Sequence, residues 1–112
     1  MTKDDLVYVG HMLDIARDVR QLLRVKSQAD FESDRLFRLA LAHLLQNIGE
    51  AASRVSTSFK GAHSDVPWPD IIGMRHRIVH GYVEVDDTVV WQTALRDIPV
   101  LIDALDPLVP PM

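Results

Sequence analysis

Residues 34–59 read DRLFRLALAHLLQNIGEAASRVSTSF, and their spacing decides the fold. Leu36, Leu39, Ala40, Leu44, Ile48, Ala51, Ala52 and Val55 recur with helical periodicity, which gathers them into one apolar stripe. The run therefore predicts a long amphipathic helix. Gly49 falls inside it at a cost of about 1 kcal/mol relative to alanine, and a glycine so placed lets another helix come close.

Towards the N-terminus, residues 2–26 carry Leu6, Val9, Leu13, Ala16, Val19, Leu22 and Leu23 on the same kind of stripe. Thr2, with Asp5 in the first turn, reads as the cap of that helix. Residues 27–33 are polar and break the pattern. Towards the C-terminus, residues 60–69 contain Gly61, Pro67 and Pro69 and predict a loop. Trp68-Pro69-Asp70 would open a third helix, because proline is tolerated in a first turn. It would end near Val79 or His80, with Gly81 at a left-handed terminus. Asp86 or Asp87 would cap a fourth helix reaching Leu105, its stripe made by Val89, Val90, Leu95, Ile98, Leu101 and Ile102. Pro99 lacks the N–H that bonds four residues back, so a kink is expected there. Residues 106–112, DPLVPPM, predict an extended proline-rich tail. The expectation is a single all-α domain over residues 1–112, an antiparallel four-helix bundle with a five-helix variant as the alternative.

Composition narrows the functional classes. The chain has 112 residues, 47% hydrophobic and 25% charged, which suits one globular domain with its own core. It has no cysteine, so disulfides and thiolate metal sites are out and a cytoplasmic location is expected. No stretch approaches the roughly 18 apolar residues of a membrane helix, and charges interrupt the N-terminal run where a signal peptide would be apolar. A net charge of −4 and a pI ≈ 5.6 argue against a coat for nucleic acid, which works by neutralising phosphates. No DNA partner is expected. RNA fits better as a substrate than as a tightly held ligand.

Residues 74–82, MRHRIVHGY, concentrate Arg75, His76, Arg77 and His80 in an acidic chain. A guanidinium binds phosphate through a planar fork. An imidazole exchanges a proton near neutral pH. Metal-free RNA cleavage needs those two capacities: a base for the 2′-OH, a cation for the phosphorane, and an acid for the leaving 5′-oxygen. Residues 75 and 80 are five apart and so differ by about 140° around a straight helix. Either the helix ends at Val79 and His80 swings round, or a second copy of the chain completes the site across a two-fold axis. The second arrangement is the preferred one. The competing explanation is that Arg and His at a helix C-terminus merely answer the helix dipole.

Arg75, four residues, His80, one residue and Tyr82 resemble the R-x4-H-x-Y motif of HepT-type HEPN ribonuclease toxins. The likeness covers nearly the whole chain. It includes residues 5–9 with His11-Met12-Leu13, residues 47–52 (NIGEAA), Val66-Pro67-Trp68, residues 71–75, Val85-Asp86, Trp91 and Asp97-Ile98-Pro99. The resemblance implies a dimerising helical bundle whose R-x4-H motifs line one shared cleft, and metal-independent endoribonuclease activity that leaves a cyclic phosphate. It implies that Arg75 holds the scissile phosphate and His80 acts as general acid or base. His76 stands where the family often has asparagine, which leaves a supporting, hydrogen-bonding role. Tyr82 matches the tyrosine that a nucleotidyltransferase antitoxin of the MntA type modifies with AMP, and a phosphate beside Arg75 would cancel the cleft's charge.

Other candidates are weaker. His76 and His80 have the H-x3-H spacing of helical zinc ligands, with Glu50, Asp70 or Asp86 as a conceivable third, but Arg75 and Arg77 would repel the cation. No metal and no cofactor is expected. Glu50 could pair with Arg75 or Arg77. His11, His43 and His63 are isolated, and Trp68 and Trp91 read as packing anchors. The expected function is an endoribonuclease toxin, homodimeric and silenced by its antitoxin. The alternative is a non-catalytic helical module that uses the same basic cleft to hold a nucleotide or a partner.

Overall fold

α1 (Lys3–Val25) and α3 (Arg35–Ser53) pack along each other, and the rest of an all-α fold is built on that pair. The computed structural model describes residues 3–80 and 84–110. From α1 the core takes Val9, Met12, Leu13, Ala16 and Val19, all buried, with Leu6, Leu22 and Leu23 packed at its margin. This is the predicted stripe. Thr2 lies outside the described residues. Asp5 does more than answer the helix dipole: its buried carboxylate accepts hydrogen bonds from Ser56 N at 2.7 Å and Ser56 Oγ at 2.8 Å.

That contact explains why residues 34–59 are two helices and not one. α3 stops at Ser53, and α4 (Thr57–Ala62) starts afresh with Ser56 as its cap, accepting from Phe59 N. The C-terminal half of the predicted stripe is buried as read, through Ile48, Ala51, Ala52 and Val55, but the N-terminal half of α3 buries another face. Phe37, Leu41, Ala42, Leu45, Ile48 and Ala52 are buried, whereas Leu36 is 74% and Leu39 43% exposed. Leucines line both sides of this helix, and packing against α1 selects one of them. The polar break after α1 contains a short helix, α2 (Gln28–Ser33), closed by a Ser27–Asp30 capping box. Its buried Phe31 meets Phe37 edge-on and lies 5.0 Å from the ring of Trp91.

Trp68-Pro69-Asp70 does open a helix, but Gly73 divides the expected third helix into α5 (Trp68–Ile72) and α6 (Met74–Ile78). α6 ends one residue before Val79, which is extended. Val79–His80 (β1) pairs antiparallel with Glu84–Val85 (β2), a two-residue ladder that tightens the chain reversal. Gly81, the expected helix terminus, lies outside the described residues. Asp86 caps α7 (Asp87–Gln92), as the sequence suggests.

The kink expected at Pro99 is resolved upstream of it. Thr93–Asp97 is a π-helical turn, in which Ile98 N bonds back to Thr93 O, and α8 (Ile98–Leu105) resumes with Pro99 in its first turn. The wider turn changes the phase of the stripe, so Ala94 is buried while Leu95 is 48% exposed. The tail is not wholly extended: Asp106–Leu108 form a 3₁₀ turn, and Leu108 and Val109 pack on the core. Asp106 pairs with Arg17 of α1, which anchors the turn. Among the described residues no helix is long and apolar enough to cross a membrane.

Candidate active site

Two glycines bring the motif arginine to the surface of α3. A Cβ on Gly49 would lie 3.1 Å from Ile71 O, 3.5 Å from Ile72 O and 3.8 Å from Arg75 N, so glycine gives α5 and α6 their close approach without crowding. Gly73 is equally tight, 3.1 Å from Pro69 O, and turns the chain between the two short helices. Met74 and Ile78 are buried and hold α6 down. Arg75, His76 and Arg77 are left exposed along its outer side.

The two arginines have different surroundings. Arg77 donates from Nη2 to Asp70 O at 3.2 Å, and its Nη1 is 3.9 Å from Asp97 Oδ2, so it ties α6 to α5 and to the π-turn. Arg75 faces the end of α3, where its Nη1 is 3.9 Å from Glu50 Oε2. Of the two partners open to Glu50 in the sequence, the fold selects Arg75. Glu50 also accepts from Arg54, at 3.2 Å from Nη2 and 3.4 Å from Nε. Tyr8 on α1 lines the same groove as Arg54, and hydrogen bonding to Tyr8 and to Glu50 raises the guanidinium pKa above its ordinary value. The sequence signal for Arg54 is the i, i+4 spacing from Glu50; for Tyr8 there is none, because only the α1–α3 packing brings it here.

His80 follows Val79 in the short ladder after α6, with its backbone paired to Glu84. Helix and strand thus separate Arg75 from His80, a geometry with α6 ending ahead of the histidine. Tyr82 lies outside the described residues. His76 donates its backbone N–H to Gly73 O, and its side chain is on the exposed side of α6. The acids considered as zinc partners are engaged elsewhere: Glu50 with the arginines, Asp86 with the α7 cap. Among the described residues, no three His, Asp or Glu side chains cluster as metal ligands. His43 contacts Asn47 at 3.1 Å and His63 stacks on Phe59, as expected of isolated histidines. Trp68 is buried and donates from Nε1 to His63 O at 3.0 Å.

Beside Glu50 and Arg54 lies an open groove of ≈ 290 Å³, lined also by Tyr8, His11 and Asn47. Chemically, the end of α3 and the outer side of α6 offer two guanidiniums at one carboxylate. That is an excess of positive charge, with fork-shaped donors suited to phosphate.

Comparison with known proteins gives the lineage. The family model described as "Ribonuclease HepT-like" matches residues 12–108. A protein of Thermococcus cleftensis, named provisionally as ribonuclease HepT, is 38% identical over 99 residues, covering 88% of this chain and 87% of its own length. A protein of Caldanaerobacter subterraneus subsp. tengcongensis, named provisionally as an RNase, is 34% identical over 94 residues, 84% of each chain. A third, from Methanocaldococcus jannaschii and also provisionally an RNase, is 27% identical over 100 residues, covering 88% of this chain and 92% of its own. No solved structure matches the chain with significance.

Proposed function

Because this chain belongs to the HepT-like ribonuclease family, and is an endoribonuclease by that membership, we propose that it cleaves RNA without a metal, using Arg75 and His80 in a cleft shared by two copies. The observation that carries this reading is the placement of Arg75. It is the arginine of the motif, it stands exposed on a helix packed close against Gly49, and its Nη1 is 3.9 Å from the Glu50 carboxylate.

The reaction moves no electrons to a cofactor. The 2′-oxygen of one nucleotide forms a bond to the adjacent phosphorus as a base takes its proton. The bond from phosphorus to the 5′-oxygen breaks, and an acid protonates that oxygen. The products are a 2′,3′-cyclic phosphate and a 5′-hydroxyl. Arg75 would neutralise the charge that builds on the non-bridging oxygens, where preorganised donors act most strongly. His80 would move a proton, and two copies of His80 in a homodimer would divide the base and acid roles between them. His76 would support the phosphate by a hydrogen bond.

The same reading makes the protein the toxin of a pair. A nucleotidyltransferase antitoxin would transfer AMP from ATP to the Tyr82 hydroxyl, releasing pyrophosphate, and the added phosphate would occupy the anion site. The test is cleavage of RNA in EDTA with analysis of the new ends. Cyclic phosphate ends that disappear with His80→Ala support the reading. Saturable RNA or nucleotide binding without turnover would overturn it in favour of a non-catalytic binding module.

A further inference from the structure

Arg54 closes α3 beside the motif arginine, and one carboxylate stands between them. Glu50 Oε1 is 3.2 Å from Arg54 Nη2, and Glu50 Oε2 is 3.9 Å from Arg75 Nη1. We propose that Arg54 is a second phosphate ligand, that it binds the phosphodiester next to the one held by Arg75, and that Glu50 is the positioning residue that sets the spacing of the two guanidiniums. This rests on the ribonuclease reading and extends its site by one nucleotide.

Charge, geometry and space support it together. The two arginines outweigh the single carboxylate, so the cluster keeps a net positive charge on a chain whose own net charge is −4. The two guanidinium side chains are 58% and 64% exposed, open to a ligand from solvent. Arginine has five N–H donors, and Glu50 engages those at Nε and Nη2 of Arg54. An ordinary surface pair on one helix would involve Glu50 and Arg54 alone. Here Tyr8 reaches Arg54 from α1 and Arg75 reaches Glu50 from α6, so three elements converge on one cluster. The groove alongside, with Tyr8, His11 and Asn47 on its walls, has a volume of ≈ 290 Å³ in which the neighbouring nucleoside can lie.

The experiment is steady-state cleavage of a short single-stranded RNA in EDTA over a range of salt concentrations, with the full chain and its Arg54→Gln, Arg54→Lys and Arg75→Ala variants. Arg54→Gln is expected to raise KM several-fold with kcat within about two-fold. It should also reduce the slope of log KM against log salt by about 0.7, the contribution of one phosphate on a single strand. Arg54→Lys should keep that slope. A second measurement needs no variant: a methylphosphonate replacing the phosphate on one side or the other of the cleaved bond should raise KM for the wild-type protein at one of those two positions. Unchanged KM and slope in Arg54→Gln, or indifference to both methylphosphonates, would overturn the subsite while Arg75→Ala still abolishes cleavage. Wild-type cleavage by Arg75→Ala would instead overturn the ribonuclease site on which the proposal rests.

Discussion

Gly49 leaves no more than van der Waals room for a side chain beneath Arg75: a Cβ at position 49 would lie 3.8 Å from the Arg75 nitrogen and 3.1 Å from Ile71 O. The neighbouring atoms are main chain of α5 and α6, which cannot rotate away as a flexible side chain can. Gly49→Ala therefore asks the Ile71 carbonyl, and the arginine-bearing helix that follows it, to shift by a few tenths of an ångström. The expected result is a loss of about 1–3 kcal/mol, typical of overpacking, in urea denaturation, together with a fall of ten-fold or more in kcat/KM for RNA. Gly10 is the control, because no atom lies within 4 Å of its added Cβ. Gly10→Ala should stabilise the protein by about 0.5–1 kcal/mol and leave cleavage unaffected.

The Asp5–Ser56 contact predicts a second stability effect. Ser56 caps α4 and also donates to a buried carboxylate 51 residues away in sequence. Ser56→Ala should cost about 1–2 kcal/mol through the lost cap and hydrogen bond. Asp5→Ala should cost more, since it strands Ser56's donors in the interior. Chemical denaturation of the two variants checks the order.

These two contacts show where the sequence was legible and where it was not. The sequence predicted α1 and the starts of α5 and α7 closely, because Val9, Leu13, Ala16 and Val19, the Pro69 start and the Asp86 cap are local signals. The break between α3 and α4 is not local: it depends on Asp5 of another helix. Which face of the N-terminal half of α3 is buried was also hidden, since Leu36 and Leu39 are as apolar as Leu41 and Leu45 and only the packing with α1 distinguishes them. At the candidate site, the Glu50–Arg75 pairing was one of two that the sequence left open, and the fold selects it. The Arg54–Glu50 pair has only its i, i+4 spacing as a signal, and Tyr8 has none, since the packing of α1 on α3 brings it there.

The α2 capping box predicts a pH dependence. Ser27's backbone and hydroxyl donate to the Asp30 carboxylate and lower its pKa below the ordinary 3.8. A depressed carboxylate stabilises the fold above its unfolded pKa and loses that contribution as pH falls through the folded value. Asp30→Asn should thus lower Tm slightly at neutral pH, and the difference from wild type should shrink below about pH 4. Thermal melts at both pH values measure it.

Modification predicts a mass. Co-expression with a cognate nucleotidyltransferase should add AMP to the chain, and Tyr82→Phe should remove the addition while leaving the protein folded. Intact-mass spectrometry reads this directly. The modified protein should not cleave RNA, whereas the unmodified protein should.

On the proposed mechanism Arg75, and not its neighbour Arg77, holds the reacting phosphate. Arg77 is tied to Asp70 O and Asp97, whereas Arg75 faces Glu50 and solvent. The decisive measurement is single-turnover RNA cleavage in EDTA by Arg75→Ala and Arg77→Ala, each checked for folding. Loss of cleavage by at least a hundred-fold in Arg75→Ala, with Arg77→Ala within a few-fold of wild type, is the predicted result. Full activity of Arg75→Ala would contradict the account.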